Sequence, residues 1–281
     1  MSSPAIGGSD GEEPLAREDS ECAAIVLDAL AREGVDVRSK VAVTRVESTG
    51  AKIKVVVGEG EPAIEGSHLL IATGRRANTD GLALERAGIA CDRGWIVVNK
   101  RLKTANRRVY AIGDVAGRGQ FTHLANYHAG LVIRNALFRL PVKVNEDLVP
   151  RVTFTDPELA HVGLTEAQAR ARGLTIRVLR WPYHENDRAQ TERETVGHIK
   201  VVTDGRGKIV GATIVGAGAG ELITTWTLAI SRGLPIRALA GIIVPYPTLA
   251  EIGKRAAVTY FTPSLTNIWV RRIIALLRRF G

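Results

Sequence analysis

Val109-Tyr110-Ala111-Ile112-Gly113-Asp114-Val115-Ala116-Gly117 is the stretch from which the rest of this 281-residue chain can be read. Apolar residues alternating with small ones predict a short buried strand, and the Gly113-Asp114 step ends it in a turn. A carboxylate then stands directly after a buried strand. In open α/β sheets ligands bind at the carboxyl ends of the strands, so Asp114 is placed to accept hydrogen bonds from hydroxyl groups of a cofactor. The competing reading is an Asx turn in which Asp114 caps its own backbone, and these nine residues alone do not separate the two.

Four further segments fall in order around this one. Leu70-Ile71-Ala72-Thr73-Gly74-Arg75-Arg76-Ala77-Asn78-Thr79 precedes it. Phe154 to Glu158 with His161 to Glu166, then Asn186-Asp187-Arg188-Ala189, then Pro245-Tyr246-Pro247-Thr248-Leu249-Ala250-Glu251 follow. Together with Thr104 to Asp114, the series resembles the FAD-dependent pyridine nucleotide-disulfide oxidoreductases, the family of dihydrolipoamide dehydrogenase, glutathione reductase and mercuric reductase. The resemblance runs from about residue 15 to about residue 262. It implies that Gly113 and Asp114 belong to the second flavin motif, with the carboxylate on the ribityl hydroxyls of FAD. It also implies that the Thr73-Gly74-Arg75 corner returns the chain from a nicotinamide-nucleotide domain to the flavin domain.

Leu124, Tyr127, Leu131, Ile133 and Leu137 recur at helical spacing between Thr122 and Phe138. A helix starting there aims free amides and the positive end of its dipole outward. By the resemblance, the amides of His123, Leu124 and Ala125 would face the flavin's pyrimidine edge. His123 and His128 are five apart and share no helix face, so they read as surface or core histidines and no metal site is expected.

The resemblance also implies parts that this sequence does not contain. A complete member of the family has a Gly-rich βαβ unit for FAD, a redox Cys pair spaced by four residues and a second Gly-rich unit for NAD(P). The expectation is therefore a carboxyl-terminal part of such an oxidoreductase, inactive and colourless alone. FAD needs phosphate-binding amides that one Asp cannot replace. The alternative is a non-catalytic dimerisation or interaction module derived from such an enzyme.

With 45% apolar residues the chain can bury a sizeable core. No run of about 18 apolar residues is present to span a membrane. The segment Met1 to Glu13 is polar and acidic, which excludes a secretory signal, and the expected location is the cytoplasm. Cys22 and Cys91 have neither CxxC nor zinc spacing and read as ordinary thiols. The net charge of +9 is spread among carboxylates without a recognition motif or an aromatic stacking platform, so no nucleic acid is expected.

In chain order, residues 1–17 carry too few large apolar residues to fold and are expected to be a disordered leader. Glu18 to Gly34 reads as a helix, and Val41 to Val46 with Ile53 to Val57 as a β-meander. Leu69 to Ala72 reads as a buried strand, Leu82 to Ala87 as a short helix and Trp95 to Val98 as a strand. After Pro150, strands are predicted at 151–154, 176–179, 196–202 and 209–214, and helices at 164–172, 221–233, 236–242 and 249–260. Strands and helices in separate blocks imply α+β with an antiparallel sheet. The fold class expected is thus an α/β remnant of nucleotide-binding domains followed by an α+β dimerisation domain. Its parts are 18–105 from the nicotinamide-nucleotide domain, 106–149 from the FAD domain, and 150–263 for homodimer formation. The Gly216-Ala217-Gly218-Ala219-Gly220-Glu221 run has GxGxG spacing and reads as a helix start, not a nucleotide loop.

By the resemblance, most family members carry a His where Tyr246 stands, paired with a Glu at Glu251 to move protons at the partner subunit's Cys pair. A phenol with an ordinary pKa near 10 donates a hydrogen bond and shuttles protons poorly at neutral pH. Mercuric reductase looks similar at this position, but no Cys follows Cys91 here. The alternative is that Pro245 and Pro247 only shape a buried turn. Beyond residue 263, one side of a helical wheel collects Trp269, Val270, Ile273, Ile274, Leu276, Leu277 and Phe280, and the other side collects four Arg. This basic amphipathic helix, residues 264–281, suits either a protein surface or an anionic membrane surface at the cytoplasmic face.

Overall fold

The computed structural model describes residues 3–6, 14–48, 50, 52–58, 62–265 and 267–279. They form two compact units, Met1–Leu70 with Pro150–Gly281, and Ile71–Val149. At the start of the first unit, β1 (Ser3–Ile6) and β2 (Val35–Arg38) pair in parallel and are joined through α1 (Ser20–Arg32). The expectation of a disordered leader fails for residues 3–6. Their backbone takes up the N–H and C=O groups that the edge of β2 would otherwise leave open. Residues 1–2 and 7–13 lie outside the described residues. Asp19 starts α1 by accepting a hydrogen bond from the Cys22 amide at 3.4 Å, the usual role of an N-cap carboxylate. The expected meander follows as β3 (Val43–Ser48) and β4 (Ile53–Val57), extended by β5 (Ile64–Gly66) and packed on Val55, Val57 and Ile64.

Leu69 to Ala72 is not a strand: Leu70 and Ile71 are 88% and 72% exposed. Four apolar residues in a row are a buried strand only where neighbouring strands pair with them and both faces are covered. No described strand does so here.

In the second unit, Ile71–Val149, regular structure is sparse. The Cys91–Asp92 strand (β6) turns back into Trp95–Ile96 (β7), half the length expected. Leu84–Ala87 is a 3-10 turn, and α2 spans Thr122–Ala136. Two small apolar clusters hold the unit, one around Ile89, Ile96 and Ala111 and one around Leu102, Leu131 and Val144. The strand expected at Val109 to Ile112 is reduced to one bridge, from Tyr110 to Lys103, and Gly113–Ala116 winds into a 3-10 turn. Alternation seats Ala111 in the core, but among the described residues no second strand continues the ladder.

From residue 150 the chain forms β8 (Arg151–Thr153), β9 (Leu159–Gly163), α3 (Glu166–Ala171), β10 (Ile176–Pro182), α4 (Asp187–Glu192), β11 (His198–Asp204) and β12 (Ile209–Val215). It continues as α5 (Ala219–Ser231), α6 (Ile236–Ala240), α7 (Glu251–Thr259), α8 (Thr262–Leu265) and α9 (Ile268–Leu277). The strands make one antiparallel sheet in the order β10-β11-β12-β9-β8, the α+β layer expected. Three elements were not foreseen, the four-residue α8 among them. In β9 a histidine interrupts the apolar run, and α4 is a short polar segment with no apolar period.

Period-two alternation sorts this sheet cleanly. Ala160, Val162, Ile199, Val201, Ala212 and Ile214 face α5, α6 and α7, where Ile223, Trp226, Leu239, Ile252 and Ala256 complete the main core. Each large side chain buried there contributes roughly 1.5–3 kcal/mol. The intervening residues point the other way, and α1 lays Cys22 and Val26 on Leu159 and Val215. That second face also buries His161, Lys200 and Thr213. Because α1 packs on this sheet, the compact units break near 70/71 and 149/150.

Gly163 ends β9 with φ +82°, where a side chain would strike the Val210 carbonyl oxygen. Beside it, His161 is fully buried between the Thr213 hydroxyl (2.8 Å) and the Gly163 carbonyl (2.9 Å). Burial, with Arg151 nearby, pulls its pKa down to about 4. An unfolded histidine takes its proton near pH 6.5, so the unfolded state binds it first and stability falls as the pH drops from about 6.5 towards 4. The contribution lost is on the order of 3 kcal/mol. Urea unfolding across that window should therefore show a steep loss of stability, and His161→Gln should flatten it. An unchanged pH slope in the variant would contradict this assignment.

Candidate functional site

In the second unit the Gly113–Ala116 turn presents Asp114 with its side chain 46% exposed. Among the described residues no backbone amide uses that carboxylate. Its side-chain partner is Arg75, whose guanidinium lies 3.9 Å away, so the Asx-turn alternative is not what the structure adopts. The Thr73-Gly74-Arg75 corner is thereby brought to Asp114, although Thr73 and Gly74 are irregular and exposed. Gln120 steadies the corner by donating to the Arg75 carbonyl at 3.5 Å.

His128 holds the turn in place. It is fully buried on α2, and its Nδ1 accepts the Gly113 amide at 3.1 Å. The ring must then carry its proton on Nε2, which has no protein partner, and burial lowers its pKa. Gly113 has φ +67°, and a side chain there would crowd Ala125 at 3.1 Å, so the turn sits tightly against α2. His128 is thus a core histidine, as the spacing allowed, and what the spacing did not reveal is its hydrogen bond to Gly113. His123 is exposed and stacks on Phe121.

No side chain caps α2, because the residue before it is Phe121, which offers no acceptor. Its first amides therefore point outward with the positive end of the dipole. Of the three amides expected at a flavin, that of Ala125 is already bonded to the Phe121 carbonyl at 3.0 Å, whereas Leu124, like Thr122 before it, lies in the uncapped first turn. A carboxylate unshared with the backbone and an uncapped helix start suit the hydroxyls and the electron-rich edge of a flavin. The Gly216–Gly220 run offers no comparable site. It opens α5, and the Gly220 amide already donates to the Glu158 carboxylate at 2.8 Å.

The second constellation lies in the first unit. Asn186 caps α4 by accepting from the Ala189 amide at 2.9 Å, and its Nδ2 donates to the Thr248 carbonyl at 3.0 Å. Two segments about 60 residues apart in sequence are so clasped together, and the Tyr246 hydroxyl donates to the Asp187 carboxylate at 2.9 Å. The carboxylate that accepts the Tyr246 hydrogen bond in this structure is that of Asp187, while Glu251 opens α7 and acts on Tyr246 through its charge. Tyr246 is 69% exposed, and the Asp187 hydrogen bond, followed by its charge, raises the phenol pKa. The Pro245–Pro247 segment is thus an exposed presentation of a phenol and not a buried turn. Asp187 lies in a segment already singled out, but its nearness to Tyr246 is a tertiary fact without a local signal. Cys22, fully buried, has its thiol pKa pushed up by burial and suits no redox role.

Residues 10–129 match the family described as "Pyridine nucleotide-disulphide oxidoreductase", and residues 149–257 match its dimerisation domain. The chain is 39% identical over 253 residues to a mercuric reductase of Bacillus cereus, covering 89% of this chain and 40% of that protein. It is 35% identical over 252 residues to a dihydrolipoyl dehydrogenase of Bacillus subtilis, covering 88% and 53%. Among solved structures, LpdA from Mycobacterium tuberculosis superposes with a TM-score of 0.85 at 28% identity, covering 92% of this chain and 56% of that one. The chain spans about half the length of these relatives. From the antiparallel sheet, the ordered motifs and these matches, the chain belongs to the pyridine nucleotide-disulphide oxidoreductase family.

Proposed function

We propose that the protein is an FAD-dependent oxidoreductase that draws hydride from NAD(P)H and passes it to an acceptor, working in the cytoplasm as a homodimer through residues 150–263. The observation that carries this reading is Asp114, an acceptor left open by its own backbone beside the uncapped start of α2. FAD, when bound, supplies the hydride-carrying chemistry. Asp114 would accept the ribityl hydroxyls, and the uncapped start of α2, with the amides of Thr122 and Leu124, would favour the flavin edge where negative charge gathers. Arg75, close to Asp114, would have to share or release that carboxylate when the hydroxyls arrive. Tyr246, committed to Asp187, would act as a hydrogen-bond donor to a substrate or partner group, because its raised pKa keeps the phenol protonated.

A second reading, an interaction module without catalysis, draws on the first unit, whose sheet carries helices on both faces around a core of its own. Joining this chain to the amino-terminal half of a mercuric reductase relative separates the two. The oxidoreductase reading expects a yellow protein that oxidises NAD(P)H, whereas a well-folded colourless dimer would support the module. In the yellow protein, Asp114→Ala should weaken flavin retention by about tenfold or more, the usual loss when a charged acceptor is removed. Retention equal to the parent would remove Asp114 from the site. Sedimentation of the chain by itself should give twice the 30.3 kDa monomer mass, and a monomer at micromolar concentration would contradict the dimer.

The phenol can be examined without any cofactor. Carbon-13 labelling of the tyrosine rings should show Tyr246 titrating above an ordinary tyrosine, and Asp187→Asn should bring it back down. A larger effect from Glu251→Gln than from Asp187→Asn would restore Glu251 as the partner.

A further inference from the structure

Helix α9, Ile268–Leu277, has no buried residue, although it is the most one-sided stretch of the chain. Ile268, Trp269, Ile273, Ile274, Leu276 and Leu277 are all exposed. Asn267 starts the helix by accepting the Trp269 amide at 2.9 Å, so it is capped at its own N-terminus without help from another element. It begins beyond residue 257, where the dimerisation-domain match ends. Among the described residues nothing covers its apolar face, and it lies beyond the matched dimerisation domain.

The charge of this region decides what fits. No Asp or Glu occurs after Glu251, while Lys254, Arg255, Arg271, Arg272, Arg278 and Arg279 all do. The four tail arginines, without a carboxylate among them, suit an anionic surface and disfavour a second copy of the same helix, which would bring like charges together. Trp269 stands at the amino-terminal end of the apolar face with the Arg272 guanidinium 5.1 Å from its ring, a pairing suited to the headgroup layer. Ten residues of helix extend only about 15 Å, too short to cross a bilayer. Among the described residues no helix is long and apolar enough to do so. The geometry points to α9 lying flat on an anionic lipid bilayer, with its apolar face in the acyl boundary and its arginines among the lipid phosphates.

Vesicle sedimentation with the full chain tests this. Vesicles of equal parts phosphatidylglycerol and phosphatidylcholine should carry the protein down, vesicles of phosphatidylcholine alone should not, and about 0.5 M salt should release it. Removing residues 268–281, or replacing the four arginines of the tail by glutamine, should lower recovery about tenfold. Since these side chains are exposed, the glutamine variant should keep the parent's unfolding midpoint. Trp269 emission should shift to the blue on anionic vesicles, and the shift should vanish in Trp269→Phe. The proposal is overturned if the full chain and the shortened chain are recovered equally, if neutral vesicles serve as well as anionic ones, or if no vesicle recovers the full chain. It is also overturned if removing the tail lowers the oligomeric state without changing recovery, which would make a second copy the partner of α9.

Discussion

One ammonium group joins the two halves of the larger unit. Lys200 Nζ on β11 is 2.9 Å from Asp19, 3.0 Å from Glu21 and 3.0 Å from Glu166, with its side chain only 5% exposed. Burial alone would drive its pKa down, but three carboxylates turn the shift upward. Arg180 grips Glu21 through two bonds of 2.7 Å, and with Lys200 it overcomes burial to hold that carboxyl down to about 2. A buried charge stripped of its partners costs several kcal/mol, so neither Lys200 nor Asp19 can be deleted cheaply, while the more exposed Glu21 and Arg180 are screened by solvent. Asp19 is also the N-cap of α1, and the start of the helix and its attachment to the sheet are therefore fixed by the same side chain.

The two faces of the sheet are held by different physics. Apolar burial under α5, α6 and α7 fixes one face, while ion pairs and hydrogen bonds under α1 fix the other. Packing is tolerant of small shifts, and buried charges are not. The polar face thus specifies where α1 must lie, and the apolar face supplies most of the stability. The Tyr246 segment depends on the apolar side, because α7 leads out of it and anchors through Ile252, Ala256 and Ala257. Asp114 depends on a smaller device, one hydrogen bond from Gly113 to a buried imidazole. In both places an exposed acid or phenol is carried by a rigidly seated neighbour, the arrangement that preorganises a site.

The ordered motifs and the antiparallel α+β layer were legible in the sequence because each rests on local chemistry, and local signals also nominated the residues of both candidate sites: a turn after apolar residues, an uncapped helix start, a proline-framed phenol. What escaped depends on partners distant along the chain. Leu69 to Ala72 has the composition of a buried strand, but pattern cannot report whether neighbouring strands exist. β9 was hidden because its central residue is a histidine, which looks like a break until Thr213 and Gly163 are seen to satisfy it. Lys200 sits in His198–Asp204, where a lysine on a strand reads as solvent-facing, and only α1 shows that it is not. Asp187 stood inside a recognised segment, yet its carboxylate was unassigned until the fold placed it 2.9 Å from Tyr246.

The claim on which the account rests is that α1 and the five-stranded sheet are one cooperative unit, locked by Lys200. Native-state amide hydrogen exchange measures this directly, since amides in one cooperative unit open together and report one free energy. In the parent chain, amides of residues 20–32 should be as strongly protected as those of β11 and β12. In Lys200→Met, protection of residues 20–32 should fall well below that of the sheet. Fast exchange of residues 20–32 in the parent, or unchanged protection in the variant, would contradict it.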